Sequence, residues 1–227
     1  MEAGMTGSTK TPRERYRQQV REEVKEKAWQ QIAGSGASAL SLNAIAKQMG
    51  MSGPALYRYF ANRDELITEL IRDAYRSLAD AFLAASTSAS DDGAGGADLA
   101  GLAHVLRRWA LADPHRYFLI YGTPVPGYHA PADITAIASE LMSVLLDACA
   151  APAAEPHAFE DHLATHRAWA DRHPDAPPAT LRQALAFWSR LHGVLSLELA
   201  GHFTGMGLDP ALLFQAEVDA LTGGPTT

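Results

Sequence analysis

The sequence predicts an all-α protein made of a small three-helix domain followed by a larger helical bundle. Apolar residues recur at helical spacing through most of the 227-residue chain, and no segment shows a convincing alternation of apolar and polar residues. Segments rich in proline, glycine and small polar residues separate the helical patterns. From these boundaries we expect a disordered arm at 1–12, a first domain at 13–62 and a second domain at 63–227.

The helical patterns can be followed in order along the chain. The first occupies residues 13–33, where apolar residues share one face. After Leu66 the apolar positions continue at helical spacing to Phe82, and the small polar residues at 86–96 predict a loop. Further helices are expected at 97–112, 114–121, 133–150, 156–173, 178–204 and 210–222. About nine helices are therefore expected in total.

Residues 41–66, SLNAIAKQMGMSGPALYRYFANRDEL, predict two short helices around a tight turn with a third helix directly after them. Gly50 lies where the backbone must adopt a left-handed conformation, which glycine tolerates best. Ser52 is expected to cap the second short helix by accepting a backbone N–H, and Pro54 suits its first turn. An ordinary helical hairpin could contain any one of these residues. Their coincidence favours a helix-turn-helix that enters a DNA groove.

The segment IAKQMGMSGPALYRYFANRDELI resembles the signature of the TetR family of transcriptional repressors, above all in LYRYF and the residues after it. The resemblance implies that Ser52, Gly53 and Ala55 face base edges in the major groove. Because Gly53 and Ala55 have almost no side chain, we expect few direct base contacts and a contribution from DNA shape. The resemblance also implies that Tyr57, Tyr59 and Arg63 contact phosphates, as do Ser41 and Asn43 from the helix before. Arg58, between the two tyrosines, is a further candidate DNA-binding residue.

The charge distribution agrees with DNA binding by the N-terminal part. The whole chain carries a net charge of −7, but residues 1–72 hold eleven Lys/Arg against eight Asp/Glu. Residues 73–227 hold eight against eighteen. A basic segment joined to an acidic one is expected for a DNA-binding domain attached to a body that does not bind DNA.

The second domain has a resemblance of its own. Residues 187–203 (FWSRLHGVLSLELAGHF) and 117–128 (YFLIYGTPVPGY) resemble the regulatory domain of one TetR subgroup, named for its Trp, His and Gly, here Trp188, His192 and Gly193. This implies that the last two long helices pair with those of a second copy in a four-helix dimer interface. Gly193 costs its helix about 1 kcal/mol relative to alanine, which close approach of another helix would explain. Relief of crowding within one chain is the alternative.

Aromatic residues among small ones in the second domain predict an apolar cavity with a few polar groups. For each of them, packing in the core is the alternative. The candidate ligand-binding residues are Trp109, Tyr117, Phe118, Tyr121, His166, Trp169, Trp188 and His192. We expect a mostly apolar effector that binds there and changes the spacing of two DNA-binding domains.

Other chemistry has little support in the sequence. His162 and His166 lie four residues apart on an expected helix, a spacing that can ligate zinc or nickel, but no HExxH pattern or cysteine partner accompanies them. No metal, cofactor or catalytic residue is therefore expected. With one cysteine, Cys149, no signal-peptide core and no apolar run long enough for a membrane span, the sequence predicts a cytoplasmic protein.

These observations predict a ligand-responsive repressor that binds palindromic double-stranded operator DNA as a homodimer and is released by a small apolar molecule. Two alternatives remain open. One is a metal-dependent enzyme or sensor that uses His162 and His166. The other is an architectural DNA-binding protein without a ligand, which would show no inducible release from DNA.

Overall fold

The computed structural model describes residues 11–91, 98–125, 127–129, 131–149 and 157–223. Within these ranges the chain forms helices, turns and loops but no β-strand, so the predicted all-α class is confirmed. The same ranges hold ten α-helices and two short 3₁₀ turns. None of the helices described is both long enough and apolar enough to cross a membrane.

The first compact unit comprises Met1–Leu70 together with Pro124–Tyr128. Its elements are α1 (Pro12–Ser35), a 3₁₀ turn (Ala37–Ala39), α2 (Leu42–Gln48), α3 (Gly53–Leu56) and the start of α4 (Arg63–Asp91). Its core is formed by apolar side chains that are almost completely buried, among them Val24, Ala28, Ile45, Leu56, Phe60 and Leu66. The two compact units divide within α4, and the domain boundary expected after residue 62 stays a prediction.

The start of α1 corrects part of the predicted arm. The Thr11 hydroxyl accepts the backbone N–H of Glu14 at 3.2 Å, and the Glu14 carboxylate accepts the backbone N–H of Thr11 at 2.7 Å. This reciprocal capping box satisfies two N–H groups at the helix start, and Pro12 is the first helical residue. Of the arm expected at 1–12, positions 11 and 12 thus belong to the helix and its cap, while residues 1–10 lie outside the described residues.

The second compact unit comprises Ile71–Thr123 and His129–Thr227. After the rest of α4 it contains α5 (Leu99–Ala112), α6 (Pro114–Tyr121), α7 (Ala132–Ala148), α8 (Ala158–Thr165), a 3₁₀ turn (Ala168–Ala170), α9 (Pro178–Leu199) and α10 (Pro210–Thr222). One apolar core includes residues from these α-helices, and α9 packs against both α8 and α10. The helices predicted at 114–121 and 210–222 are confirmed.

Three predicted boundaries in this unit are wrong, and the first concerns the loop expected at 86–96. Helix α4 continues through this segment to Asp91, and residues 92–96 lie outside the described residues. The hydroxyl groups of Ser86 and Thr87 donate to the carbonyl of Leu83 at 2.9 and 3.1 Å. Because these hydroxyls bond within their own helix, the small polar residues do not end it.

The helix expected at 156–173 is shorter than predicted. Helix α8 ends at Thr165, and the chain then forms the 3₁₀ turn Ala168–Ala170. The Arg167 guanidinium donates to the carbonyls of His173 and Ala176 at 2.9 and 3.0 Å. These two bonds stabilise a loop after Thr165 in place of a continuous helix.

The helix expected at 178–204 also ends early, at Leu199. The backbone N–H of Gly201 donates to Glu198 O at 3.0 Å, and that of His202 donates to Leu197 O at 2.9 Å. With Gly201 at a φ of 78°, these two bonds form a Schellman motif, which terminates a helix. Gly201 was therefore the signal for the true end of α9.

The turn after α2 can be tested by replacing its glycine, Gly50. Gly50 has a φ of 66°, so Gly50→Ala is expected to lower the free energy of unfolding by about 1 kcal/mol in a urea titration. The matched control is Gly34→Ala, because Gly34 lies within α1 and a Cβ there meets nothing within 4 Å. This control should stabilise the protein by up to about 1 kcal/mol. Equal effects of the two substitutions would contradict the argument.

Candidate DNA-binding and effector sites

A tight turn joins α2 to α3 in the first unit. The positive φ of Gly50, 66°, confirms the predicted left-handed residue. After it, the backbone N–H of Met51 donates to Ala46 O at 2.9 Å. Ala46 is 2% exposed, so a small residue is required where the two helices meet, and Ile45 and Leu56 are buried beside it.

The cap of α3 differs from the prediction. Ser52 occupies the N-cap position, but its hydroxyl accepts no backbone N–H. Pro54 has no N–H to offer, and the N–H groups of Ala55 and Leu56 donate to the Ser52 carbonyl at 3.0 and 3.2 Å. The predicted side-chain cap is therefore wrong, and the exposed hydroxyl of Ser52 remains able to contact another molecule.

Arginines from α1 hold the chain that follows α3. Arg17 donates to the carbonyl of Arg58 at 3.3 Å, and Arg21 donates to the carbonyl of Tyr59. The Arg21 guanidinium also lies over the Phe60 ring, 4.1 Å from its centroid. These contacts fix the C-terminal side of a helix that is only four residues long and could not be stable alone.

Two carboxylates of α4 complete the surroundings of Arg21. Its terminal nitrogens lie 3.7 Å from Glu65 and 3.5 Å from Glu69, and its side chain is only 20% exposed. One guanidinium thus joins α1, the end of α3 and the first turns of α4.

Arg63 makes a second set of contacts of the same kind. Its Nε donates to Leu40 O at 3.2 Å, and one terminal nitrogen donates to Ala37 O at 2.8 Å and to Ser38 O at 3.3 Å. The other terminal nitrogen lies 3.7 Å from Asp64. Arg63 therefore ties the start of α4 to the 3₁₀ turn before α2.

The remaining predicted DNA contacts lie on the α2–α3 surface. Side chains that are exposed or half-buried there are Ser41, Asn43, Ser52, Gly53, Ala55, Tyr57, Arg58 and Tyr59. Tyr57 is 45% exposed, and a Cβ added to Gly53 would lie 3.4 Å from Asn43 Oδ1, an ordinary van der Waals contact. The Ser41 oxygen accepts the N–H of Ala44 at 3.3 Å and so caps α2. Small side chains and hydrogen-bonding side chains are thus close together on this surface.

The second unit brings five of the eight candidate ligand-binding residues together. The His192 ring lies 4.2 Å from the Tyr121 ring, 4.3 Å from that of Trp188 and 5.5 Å from that of Tyr117, between centroids. Phe118 contacts Tyr117 edge-on at 5.5 Å. We call these five residues, together with Tyr75 and Ser196, the His192 cluster.

Hydrogen bonds within the His192 cluster converge on one hydroxyl group. Tyr117 Oη lies 2.9 Å from His192 Nδ1, 2.9 Å from Ser196 Oγ and 3.2 Å from the His192 carbonyl oxygen. Burial lowers the pKa of His192 to about 4 and raises the pKa of Tyr121 well above its usual value. Both side chains are therefore uncharged at neutral pH.

The other three candidate residues lie elsewhere in the unit. Trp109 Nε1 donates to Ser77 Oγ at 3.1 Å, and Trp169 packs against the core from the short 3₁₀ turn. His166 is exposed at the end of α8, and its ring stacks on that of His162 with centroids 4.0 Å apart. Sequence spacing alone could not separate these three from the cluster. The described residues contain no group of three or more potential metal ligands.

Two family descriptions match the chain. The family described as "Bacterial regulatory proteins, tetR family" matches residues 26–70, and "Tetracyclin repressor-like, C-terminal domain" matches residues 99–221. The second match covers more than half of the chain and includes both segments on which the resemblance of the second domain rested. The chain belongs to the TetR family of transcriptional regulators.

Similar proteins support the assignment of this chain to the TetR family. The HTH-type transcriptional regulators Rv1816 of Mycobacterium tuberculosis (strain ATCC 25618 / H37Rv) and Mb1846 of Mycobacterium bovis (strain ATCC BAA-935 / AF2122/97) are both 36% identical over 215 residues, 90% of this chain and 92% of theirs. The crystal structure of the regulatory protein SCO4313 has 69% identity and a TM-score of 0.85, covering 94% of this chain and 100% of its own. The TetR-family regulator PfmR of Thermus thermophilus, at 17% identity and a TM-score of 0.53 over 90% of this chain and 99% of its own, shares the fold.

The arginines of the helix-turn-helix were only partly foreseen in this TetR-family chain. Arg63 is predicted to contact a phosphate, yet its donors already bind three carbonyl groups. Arg17 and Arg21 were not singled out at all. Their spacing of four residues places them on one side of α1, but the exposed Arg13 and Arg15 look the same in sequence. Only the fold shows which arginines meet a carbonyl group.

Replacing Arg21 tests its role in this TetR-family chain. Arg21→Met keeps the apolar stem but removes the contacts to Tyr59, Glu65 and Glu69. We expect the free energy of unfolding to fall by about 2 kcal/mol in a urea titration. The control is Arg15→Met, which removes the same charge from an exposed position of α1. Similar losses in both variants would show that charge, rather than these contacts, accounts for the effect.

Proposed function

We propose that this TetR-family regulator is a repressor that binds an inverted-repeat operator as a dimer, and that a small, mostly apolar molecule releases it from DNA. The observation that carries the proposal is the α2–α3 surface, where a short helix held by arginine contacts presents small and hydrogen-bonding side chains to solvent. A helix so placed suits entry into the major groove.

The proposed DNA contacts are of two kinds, those to base edges and those to phosphates. Ser52, Gly53 and Ala55 allow the backbone of α3 to approach base edges, so direct readout would involve few atoms. Phosphate contacts suit the exposed Arg58 and Tyr57, with support from Tyr59, Ser41 and Asn43. Because Arg63 already binds carbonyl groups, we propose that it positions the reading unit rather than anchoring a phosphate.

The dimer proposal rests on α9 and α10. A Cβ added to Gly193 would meet nothing within 4 Å in this chain, which argues against crowding within one chain as the reason for the glycine. On the same face of α9, Leu197 is 44% exposed, and Leu212 of α10 is 69% exposed. Small exposed residues follow Leu212 at helical spacing, namely Ala216 and Ala220. These small and apolar surfaces suit close packing against the same helices of a second copy.

A dimer also explains how so short a helix could select a site. One four-residue helix reaches few base pairs, whereas two placed about 34–36 Å apart read both halves of a palindrome. The effector proposal rests on the His192 cluster, whose half-buried aromatic rings and few polar groups suit a mostly apolar molecule. Such a molecule releases DNA only if it binds the DNA-incompetent state more tightly.

The geometry of the described residues does not favour the metal-dependent alternative. The rings of His162 and His166 are stacked with an angle of 8° between their planes, a parallel arrangement that does not direct two nitrogens at one metal ion. An architectural DNA-binding protein without a ligand is distinguished by experiment, since its affinity for DNA would not respond to any effector.

Operator binding is tested by selection from a pool of random DNA duplexes. We expect an inverted repeat whose half-sites are one helical turn apart or a multiple of it. On the selected duplex, Arg58→Met should weaken binding and reduce the slope of log Kd against log salt concentration by about 1, with unfolding unchanged. The control Arg63→Met should instead lower stability. Equal affinity for the selected and a scrambled duplex would refute operator recognition.

The dimer interface is tested by Gly193→Glu. A monomer has room for this side chain, so folding should be retained while a buried carboxylate at the interface shifts the protein to a monomer. Sedimentation equilibrium measures the change. Ala164→Glu, which adds the same charge to an exposed position of α8, should leave the dimer intact. If Gly193→Glu remains dimeric, the interface lies elsewhere.

A further inference from the structure

The hydrogen bonds of the His192 cluster favour one tautomer of the imidazole. The carbonyl oxygen of His192 can only accept, so its 3.2 Å contact with Tyr117 is a hydrogen bond only when the Tyr117 hydroxyl donates its single hydrogen to that oxygen. Tyr117 Oη must then accept from its other two partners, His192 Nδ1 and Ser196 Oγ, each at 2.9 Å. Only the tautomer with its hydrogen on Nδ1 satisfies all three contacts at once, and in that tautomer Nε2 is an acceptor.

Two buried polar atoms of the cluster have no partner among the described residues. These are His192 Nε2 and Tyr121 Oη. The first offers a lone pair and the second a hydroxyl group, and their rings lie 4.2 Å apart. Buried polar atoms are usually paired, so one group bound from outside the chain, or a water molecule, would satisfy both atoms.

The surroundings define the class of that group. The rings that contact Tyr121 and His192 belong to Tyr75, Tyr117 and Trp188. Trp188 has no ionisable group, and burial raises the pKa of Tyr117 above its usual value. Burial is the cause of the lowered pKa of His192, and no acidic or basic side chain contributes to it. An ionic group would enter this place without a counter-charge, which is unfavourable.

We propose that His192 and Tyr121 form the polar end of an effector site, which binds a neutral, mostly apolar molecule through a hydroxyl or N–H group. That group donates to His192 Nε2, and the molecule accepts a hydrogen bond from Tyr121 Oη. Tyr117 and Ser196 position the imidazole by keeping its hydrogen on Nδ1. In naming the molecule as an effector, this inference rests on the proposed release from DNA.

The site is tested on full-length, DNA-free protein labelled with ¹⁵N at histidine. Long-range ¹H–¹⁵N spectra should show an unprotonated Nε2 for His192, assigned by loss of its signals in His192→Asn. 1-Hexanol or 1-octanol should shift that Nε2 resonance. Their isomers 1-methoxypentane and 1-methoxyheptane, which lack a donor, should shift it far less. A protonated Nε2, or equal shifts from alcohols and ethers, would overturn the assignment.

Charge is tested with octanoate and octylammonium. Both should bind at least tenfold more weakly than 1-octanol by calorimetry, and tighter binding of either ion would refute a neutral ligand. If no probe moves the Nε2 resonance up to its solubility limit, the two orphan atoms bind water only and the proposal fails.

The substitution Tyr121→Phe distinguishes an effect on ligand binding from an effect on folding stability. It removes only the orphan hydroxyl, so affinity for 1-octanol should fall about tenfold, the loss of one hydrogen bond, while the unfolding midpoint is unchanged or raised. Tyr16→Phe removes a hydroxyl from a ring that is 63% exposed in the other unit and should change neither. Unchanged affinity in Tyr121→Phe would exclude its role.

Release of the selected operator duplex is measured separately by fluorescence anisotropy. Binding at His192 without release would leave the site intact but refute the effector response. If alcohols release the DNA without any change in the Nε2 resonance, the site at His192 is refuted but the effector response is not.

Discussion

The guanidinium groups of Arg17, Arg21 and Arg63 donate to main-chain carbonyl groups on both sides of the α2–α3 unit. A helix of four residues has too few internal hydrogen bonds to keep its own position in water. Its orientation therefore comes from outside, from α1 through Arg17 and Arg21 and from α4 through Arg63. A main-chain carbonyl is a fixed target, and the fork of a guanidinium group can bind two at once. The reading surface depends on these contacts more than on any property of α3 itself.

The parts of the fold that were predicted correctly are those with local signals. The positive φ of Gly50 and the limits of α6 follow from residues within one turn of each feature. The early end of α9 had a local signal too, in Gly201, but the apolar pattern that continues to Phe203 obscured it. The true length of α4 had none, since Ser86 and Thr87 bond within a helix as readily as they end one.

For the candidate sites, prediction from sequence is limited in the same way, because their contacts join residues that are far apart in the chain. Arg17 and Arg21 meet carbonyl groups 41 and 38 residues away, and no local pattern separates them from the other arginines of α1. Aromatic composition identified Tyr117, Tyr121 and Trp188 as candidates. Of the two candidate histidines, however, only His192 joins them, and His166 lies exposed at the end of α8. Helical spacing states which residues share a helix face. Which faces meet is decided by packing between distant segments.

Gly53 has a consequence for how this regulator could diverge. It lies on the α2–α3 surface that we propose faces DNA, its φ is not positive, and a Cβ there would only reach van der Waals contact with Asn43. Gly50, three residues earlier, cannot be replaced without backbone strain because its φ is positive. With the proposed DNA contacts, a change of residue at position 53 would therefore alter the chemistry offered to DNA while the turn and the arginine contacts persist. If α3 reads base edges as proposed, single substitutions at this position could change the target sequence without straining the turn, so binding preference and stability could evolve separately.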